Sequence, residues 1–163
     1  MDKNISKPFI NKATAIAKAQ KYCAYQERSH WEVKTMLFEL GVYASNVDEI
    51  VCELIADNFL NEERFALAYV SSKFNIKNWG KNKIKQGLRL KKVSEPLIKK
   101  ALNSISEEDY LKKIKSVILK KRQMISEKEP RKAKYKLYQY ALGRGFESDL
   151  ISYILNNSEL NNL

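Results

Sequence analysis

The sequence predicts an all-α protein, an elongated and curved array of three tandem three-helix repeats, and three observations predict it. Apolar residues recur at the spacings of one helix face along nearly the whole chain. Only five Gly and three Pro occur in 163 residues, too few turn formers for an all-β fold. A helix-ending turn followed by an apolar residue (Val42, Val93, Phe146) returns at intervals of 51 and 53 residues, the mark of tandem repetition.

Residues 1–11 show no period and are expected to form a flexible arm. The spacing then predicts a helix over 12–27, with Ala13, Ile16, Ala19 and Cys23 along one side. Ser29 and Glu32 form a capping box, a hydroxyl and a carboxylate each satisfying the other's backbone donor. The helix it opens turns Val33, Met36, Leu37 and Leu40 inward and stops at Gly41. Asn46 and Glu49 read as a second capping box, before Ile50, Val51, Leu54 and Ile55. Asn61 caps the next helix, whose first turn holds Glu62 and Glu63 where the helix dipole favours acid. Phe65, Ala66, Tyr69, Val70 and Phe74 form its apolar face, and Asn78, Trp79 and Gly80 break it.

From Lys81 a helix puts Ile84 and Leu88 inward, and at 100° per residue Lys81, Lys85, Arg89 and Lys92 gather on one flank. Ser94, with Glu95 and Pro96 in the first turn, opens a helix with Leu97, Ile98, Ala101 and Leu102 inward. Ser106 to Asp109 caps a longer helix bearing Tyr110, Ile114, Val117, Ile118 and Ile125. Pro130 begins another, with Ala133, Leu137, Tyr140 and Ala141, and a last one from about Glu147 carries Leu150, Ile151, Ile154 and Leu155. The expected units are 12–58, 59–104 and 105–156, followed by a frayed tail over 157–163.

Superposing the units on Val42, Val93 and Phe146 aligns Val33, Ile84 and Leu137, and Leu37, Leu88 and Ala141. The first unit fits beyond the turn only if four residues around Tyr43 to Asn46 are an insertion.

Charge is concentrated in the middle of the chain. From 73 to 136 there are 21 Lys and Arg against 6 Asp and Glu; the part before holds 8 against 10 and the part after 1 against 3, within a net charge of +11. That imbalance fits a basic surface for a polyanion or an acidic protein, the plainer alternative being Lys side chains that merely solvate helix faces. Trp79, Tyr135 and Tyr138 flank it, either as stacking platforms for bases or as packing residues.

Cys23 and Cys52 are expected to be buried small hydrophobes, and His30 a surface residue at a helix start. Arg28, at the end of the first helix, either caps helix carbonyls or contacts a partner. No phosphate loop, metal cluster or nucleophile with a base can be assembled from these residues, so neither an enzyme nor a cofactor is expected. No secretory pattern opens the chain and no run approaches the roughly 20 apolar residues needed to cross a bilayer, so a soluble cytoplasmic protein without membrane contact is expected, as a monomer.

An ordered set of positions resembles the RecX family of recombination regulators: Tyr22, Cys23, Ala24, Tyr25, Gln26, Glu27, Arg28 and Ser29 with Glu32 and Val33; Phe59 to Glu62 with Arg64, Phe65, Ala66, Tyr69 and Val70; and Gly80 with Ile84, Leu88, Lys92 and Val93. It covers roughly Ala13 to Leu155. Two positions depart from the family pattern. Asn61 stands where the family usually has Asp, and Lys92 where it usually has Gly. Lys92 must therefore adopt a helix-ending, often left-handed conformation, or the helix ends differently.

The resemblance implies three three-helix repeats that bind the RecA recombinase filament, lie in its groove, and inhibit ATP hydrolysis and strand exchange. On that reading, the basic surface expected from the charge pattern, Lys81, Lys85, Arg89, Lys92, Lys99, Lys100, Lys132, Lys134 and Arg144, with Arg28 as a further contact, would meet the recombinase and the single-stranded DNA inside the filament. The alternative is a stand-alone basic helical module that binds nucleic acid directly.

Overall fold

A computed structural model describes residues 10–157, and among these it contains nine helices and no strand. They are α1 (Lys12–Tyr25), α2 (His30–Glu39), α3 (Ala44–Ala56), α4 (Glu62–Asn75), α5 (Lys81–Leu90), α6 (Glu95–Leu102), α7 (Glu107–Met124), α8 (Pro130–Gly143) and α9 (Ser148–Asn157). All the extensive helix-to-helix packing falls inside the triplets α1 to α3, α4 to α6 and α7 to α9. This is an all-α helical repeat fold. Most of the expected arm and tail, residues 1–9 and 158–163, lies outside the described residues. Asn11, expected in the arm, instead caps α1 by accepting from Thr14 N–H at 2.8 Å.

The same device closes the second helix of each triplet. After α2, Gly41 N–H bonds to Phe38 O at 3.0 Å and Val42 N–H to Leu37 O at 3.1 Å. After α5, Lys92 donates to Arg89 O at 2.9 Å and Val93 to Leu88 O at 3.2 Å; after α8, Gly145 donates to Leu142 O and Phe146 to Ala141 O. Each is a Schellman turn, with a left-handed residue followed by an apolar one that drops into the core. Gly41 and Gly145 have φ of 82° and 93°, and Lys92 takes the left-handed form despite its side chain, with φ of 59°. A left-handed L-residue costs about 1–2 kcal/mol, partly offset in a glycine by greater freedom of the unfolded chain. Lys92→Gly is therefore expected to stabilise the protein by about 0.5–1 kcal/mol, seen as a higher urea midpoint at unchanged slope.

Three expectations about the first triplet are corrected. Its α1 stripe is Ala15, Ala19 and Cys23, a strict i, i+4, i+8 row, while Ala13 faces out. Asn46 is no cap: α3 starts three residues earlier than such a cap would set it, with Tyr43 as an N-cap that makes no side-chain bond, and it follows Val42 as directly as α6 follows Val93, so no insertion interrupts this turn. Cys52 is exposed on the outer side of α3, whereas Cys23 is buried. Ser94 occupies the N-cap of α6, but its hydroxyl makes no capping bond.

The core is divided. One apolar cluster joins α1, α2 and α3 with Val42 and Leu60; a second, larger one runs unbroken through α4 to α9. Within the second, Phe74, Tyr110 and Phe146 form a row of rings with centroids 6.0 and 5.8 Å apart, carrying the packing from one triplet into the next. Backbone reinforces it, since Gly80 N–H donates to Arg144 O at 2.9 Å and Asn82 N–H to Gly145 O at 3.0 Å. The Tyr110 hydroxyl accepts from Lys81 N–H at 2.9 Å and donates to Glu147. Burial first, then that carboxylate, holds the phenol strongly protonated.

The first triplet meets the second mostly through charged groups. Arg64 Nε bonds Glu27 Oε1 at 2.5 Å while its other nitrogens hold Asn58 Oδ1 and the Asn58 carbonyl. His30 N–H donates to Glu62 Oε1 at 3.2 Å. Glu32 completes its capping box with Ser29 and also takes Lys91 Nζ at 2.7 Å. Burial works to raise the Glu32 carboxyl, but the Lys91 ammonium and the Ser29 donors outweigh it and hold the group below the usual carboxylate range. With the folded value below the unfolded one of about 4.3, the stabilisation is complete above that pH and is lost as pH falls through the folded value. Unfolding free energies of the native chain and Glu32→Gln should accordingly differ at pH 7 and converge on acidification.

Candidate functional site

The expected cations do not form one continuous patch. Lys81 and Lys85 on α5 and Lys99 on α6 come together around an open groove of about 610 Å³, with Pro96, Ile98 and Leu102 beneath them and Glu147 of the third triplet at one end. The spacing of four residues stacks Lys81 and Lys85 on one face of α5, and the close packing of α5 against α6 brings in Lys99. Arg89 continues the row but is forked onto Glu95, with Nε to Oε1 at 2.6 Å and Nη2 to Oε2 at 3.2 Å. That bond, ahead of all other influences, holds the Glu95 carboxyl below its usual range. Lys85 lies a loose 4.0 Å from the same carboxylate. Lys99 and Lys92 have no carboxylate partner among the described residues, so they and Lys85 are the cations of this stretch left to face an incoming anion. Lys81 is half engaged, its ammonium 4.6 Å from the centre of the Tyr110 ring.

Other expected contacts are occupied. Lys100 pairs with Glu63 at 2.6 Å across the α4 and α6 contact, and Lys132 with Glu129 at 2.6 Å. Lys134 bonds the neutral Asn156 Oδ1 at 2.6 Å beside a different groove, between α8 and α9. The Arg28 guanidinium lies 3.7 Å above the Tyr22 ring, and its Nε donates to Tyr22 O at 3.3 Å. Of the two readings of Arg28, the structure supplies the cap at the end of α1. Arg144 is likewise bound into the fold: its Nη2 donates to Lys77 O at the end of α4, and its Nε is buried without a partner.

Trp79 is half-buried against the larger core, with Lys73 Nζ 4.9 Å and Lys83 Nζ 4.7 Å from its ring centroid. Of the two readings offered for it, packing is the one seen. Arg131, absent from the expected set, lines the α8 and α9 groove with Tyr135 and Tyr138. Its place four residues before Tyr135 on a helix was the available signal, masked by the Lys-rich stretch around it. No helix among the described residues is long and apolar enough to cross a membrane.

Comparison with known proteins adds an independent line. Residues 61–102 match the family model described as RecX, second three-helix domain, and residues 107–155 the one described as RecX, third three-helix domain. The Regulatory protein RecX of Bacillus licheniformis is 33% identical over 148 residues, which cover 89% of this chain and 55% of that protein. The Regulatory protein RecX of Haemophilus influenzae is 29% identical over 137 residues, 83% of this chain and 89% of that protein. The chain thus spans about half the length of the Bacillus relatives and most of the Haemophilus one. Among solved structures, RecX from Lactobacillus salivarius superposes with a TM-score of 0.83 at 26% identity, over 93% of this chain and 97% of that one. A second crystal structure, of regulatory protein RecX, gives 0.81 at 25% identity, over 90% and 72%.

Proposed function

Since this chain belongs to the RecX family of regulatory proteins, we propose that it is a negative regulator of a RecA-type recombinase, binding the recombinase filament on single-stranded DNA and inhibiting ATP hydrolysis and strand exchange. It acts in the cytoplasm by occupying surface, without catalysis of its own. The observation that carries the reading is the α5 and α6 groove, where Lys99 has no carboxylate partner among the described residues and Lys85 is only loosely held by Glu95, on a unit braced by the core it shares with α7 to α9. A rigid block with such a face suits an acidic protein surface or phosphates in a filament, and its wedging between subunits opposes the closure that hydrolysis needs.

The second reading, a stand-alone nucleic-acid module, draws on the cations and tyrosines of α8. Titrating DNA-dependent ATP hydrolysis by the recombinase of the same organism, with free DNA binding followed in parallel, separates the two. Inhibition below the level that coats the DNA is expected. Inhibition only at DNA saturation would replace filament regulation with competition for DNA.

A further inference from the structure

We propose that the groove between α8 and α9 is a stacking site for single-stranded nucleic acid, with bases on Tyr135 and Tyr138 and phosphates on Arg131 and Lys134. It deepens the reading above, which places single-stranded DNA against the chain without saying where its bases go. Helix α8 has two stripes. Ala133, Leu137 and Ala141 form the one that packs into the protein. Arg131, Lys134, Tyr135 and Tyr138, at i, i+3, i+4 and i+7, form another, exposed except at Tyr138, and with Ser152, Leu155 and Asn156 of α9 they line an open groove of about 380 Å³.

Several features set this groove apart from the one between α5 and α6. No carboxylate lines it, and the acids near the start of α8 are taken elsewhere, Glu129 by Lys132 and Glu127 by Lys136. Arg131 has no acidic partner among the described residues, and Lys134 rests only on an amide oxygen. Tyr135 is 64% exposed, which core packing does not explain, while Tyr138 packs partly against the larger core and is thereby held in place. Exposed rings beside unpaired cations suit a ligand that alternates flat apolar faces with anions at short intervals. A single strand has that chemistry, and its bases are free to leave one another for an aromatic side chain. An acidic protein surface would use the cations but leave the ring of Tyr135 without a counterpart.

The test is the affinity of the full chain for a short fluorescent oligothymidine, by anisotropy at several salt concentrations. Tyr135→Ala is expected to weaken binding about 10-fold at each salt concentration with little change in salt slope. Arg131→Ala should lower the slope by about one phosphate contact, and Tyr135→Trp should restore affinity with indole fluorescence quenched by the oligonucleotide. Tyr135 lies outside the core, so circular dichroism of these variants should match the parent. Oligothymidine affinity unchanged in Tyr135→Ala overturns the site, as does a defect confined to recombinase binding, which would assign the groove to a protein. Inhibition of ATP hydrolysis, measured on the same variants, reports separately: its persistence when oligothymidine binding is lost upholds the site and leaves the regulator standing, whereas oligothymidine binding by a parent chain that never inhibits retires the regulator and keeps the site.

Discussion

Gly80→Ala is expected to destabilise the protein by about 3 kcal/mol or more, lowering its melting temperature by about 6–12 °C. A methyl on Gly80 would be driven into the Gly145 carbonyl and the Phe146 nitrogen, all backbone atoms that cannot swing aside. The same contact holds the bonds from Gly80 N–H to Arg144 O and from Asn82 N–H to Gly145 O. Relief therefore requires the α5 start and the turn after α8 to separate, pulling Phe146 from its row with Tyr110 and Phe74. Gly143→Ala is the control, since a Cβ there meets nothing within 4 Å and alanine favours a helix end; no loss of stability is expected. Equal melting of the two variants would show that the turns do not brace the triplets.

That brace was invisible in the sequence, for a reason that also separates what was legible from what was not. Helix faces are written in side chains, and a run such as Phe65, Ala66, Val70 and Phe74 states its own burial. The turns at Gly41 and Gly145 were equally readable, because a glycine followed by Val42 or Phe146 needs no knowledge of the rest of the chain, whereas the left-handed form of Lys92 carries no such local mark. Contacts between triplets join groups far apart in sequence, such as Glu32 with Lys91, or use backbone atoms that every residue possesses. Local rules also misled where tertiary context decides. Asn46 and Glu49 carry the letters of a capping box, yet they sit inside α3 because Tyr43 is already extended after the Gly41 turn. The expected insertion is not needed: with α3 starting two residues after Val42, as α6 does after Val93, Val47 and Ile50 fall on the buried positions of Ile98 and Ala101, and the extra length of α3 lies at its far end. For the candidate site, the sequence supplied the sign of the charge and the flank on α5. Which cations remain unpaired it could not supply, since pairing depends on acids brought in by other helices.

Reversing Lys85, Lys92 and Lys99 together to Glu is expected to raise the concentration needed for half-maximal inhibition of recombinase ATP hydrolysis at least about 10-fold, because like charges juxtaposed at an interface cost several kcal/mol. These three are chosen because their ammonium groups bear little on the fold. Lys85 only approaches Glu95, at 4.0 Å, and Lys92 and Lys99 reach no carboxylate among the described residues. Helicity should be preserved, and inhibition by the parent chain should itself decline as salt screens the contact. Arg144→Glu makes the contrast. Its guanidinium serves the Lys77 carbonyl in the brace between triplets, so loss of inhibition there should come with a lower melting temperature. A triple reversal that inhibits as well as the parent, while Arg144→Glu fails in both assays, would mean that the α5 and α6 groove faces solvent in the complex and that the regulator acts through another surface of the braced unit.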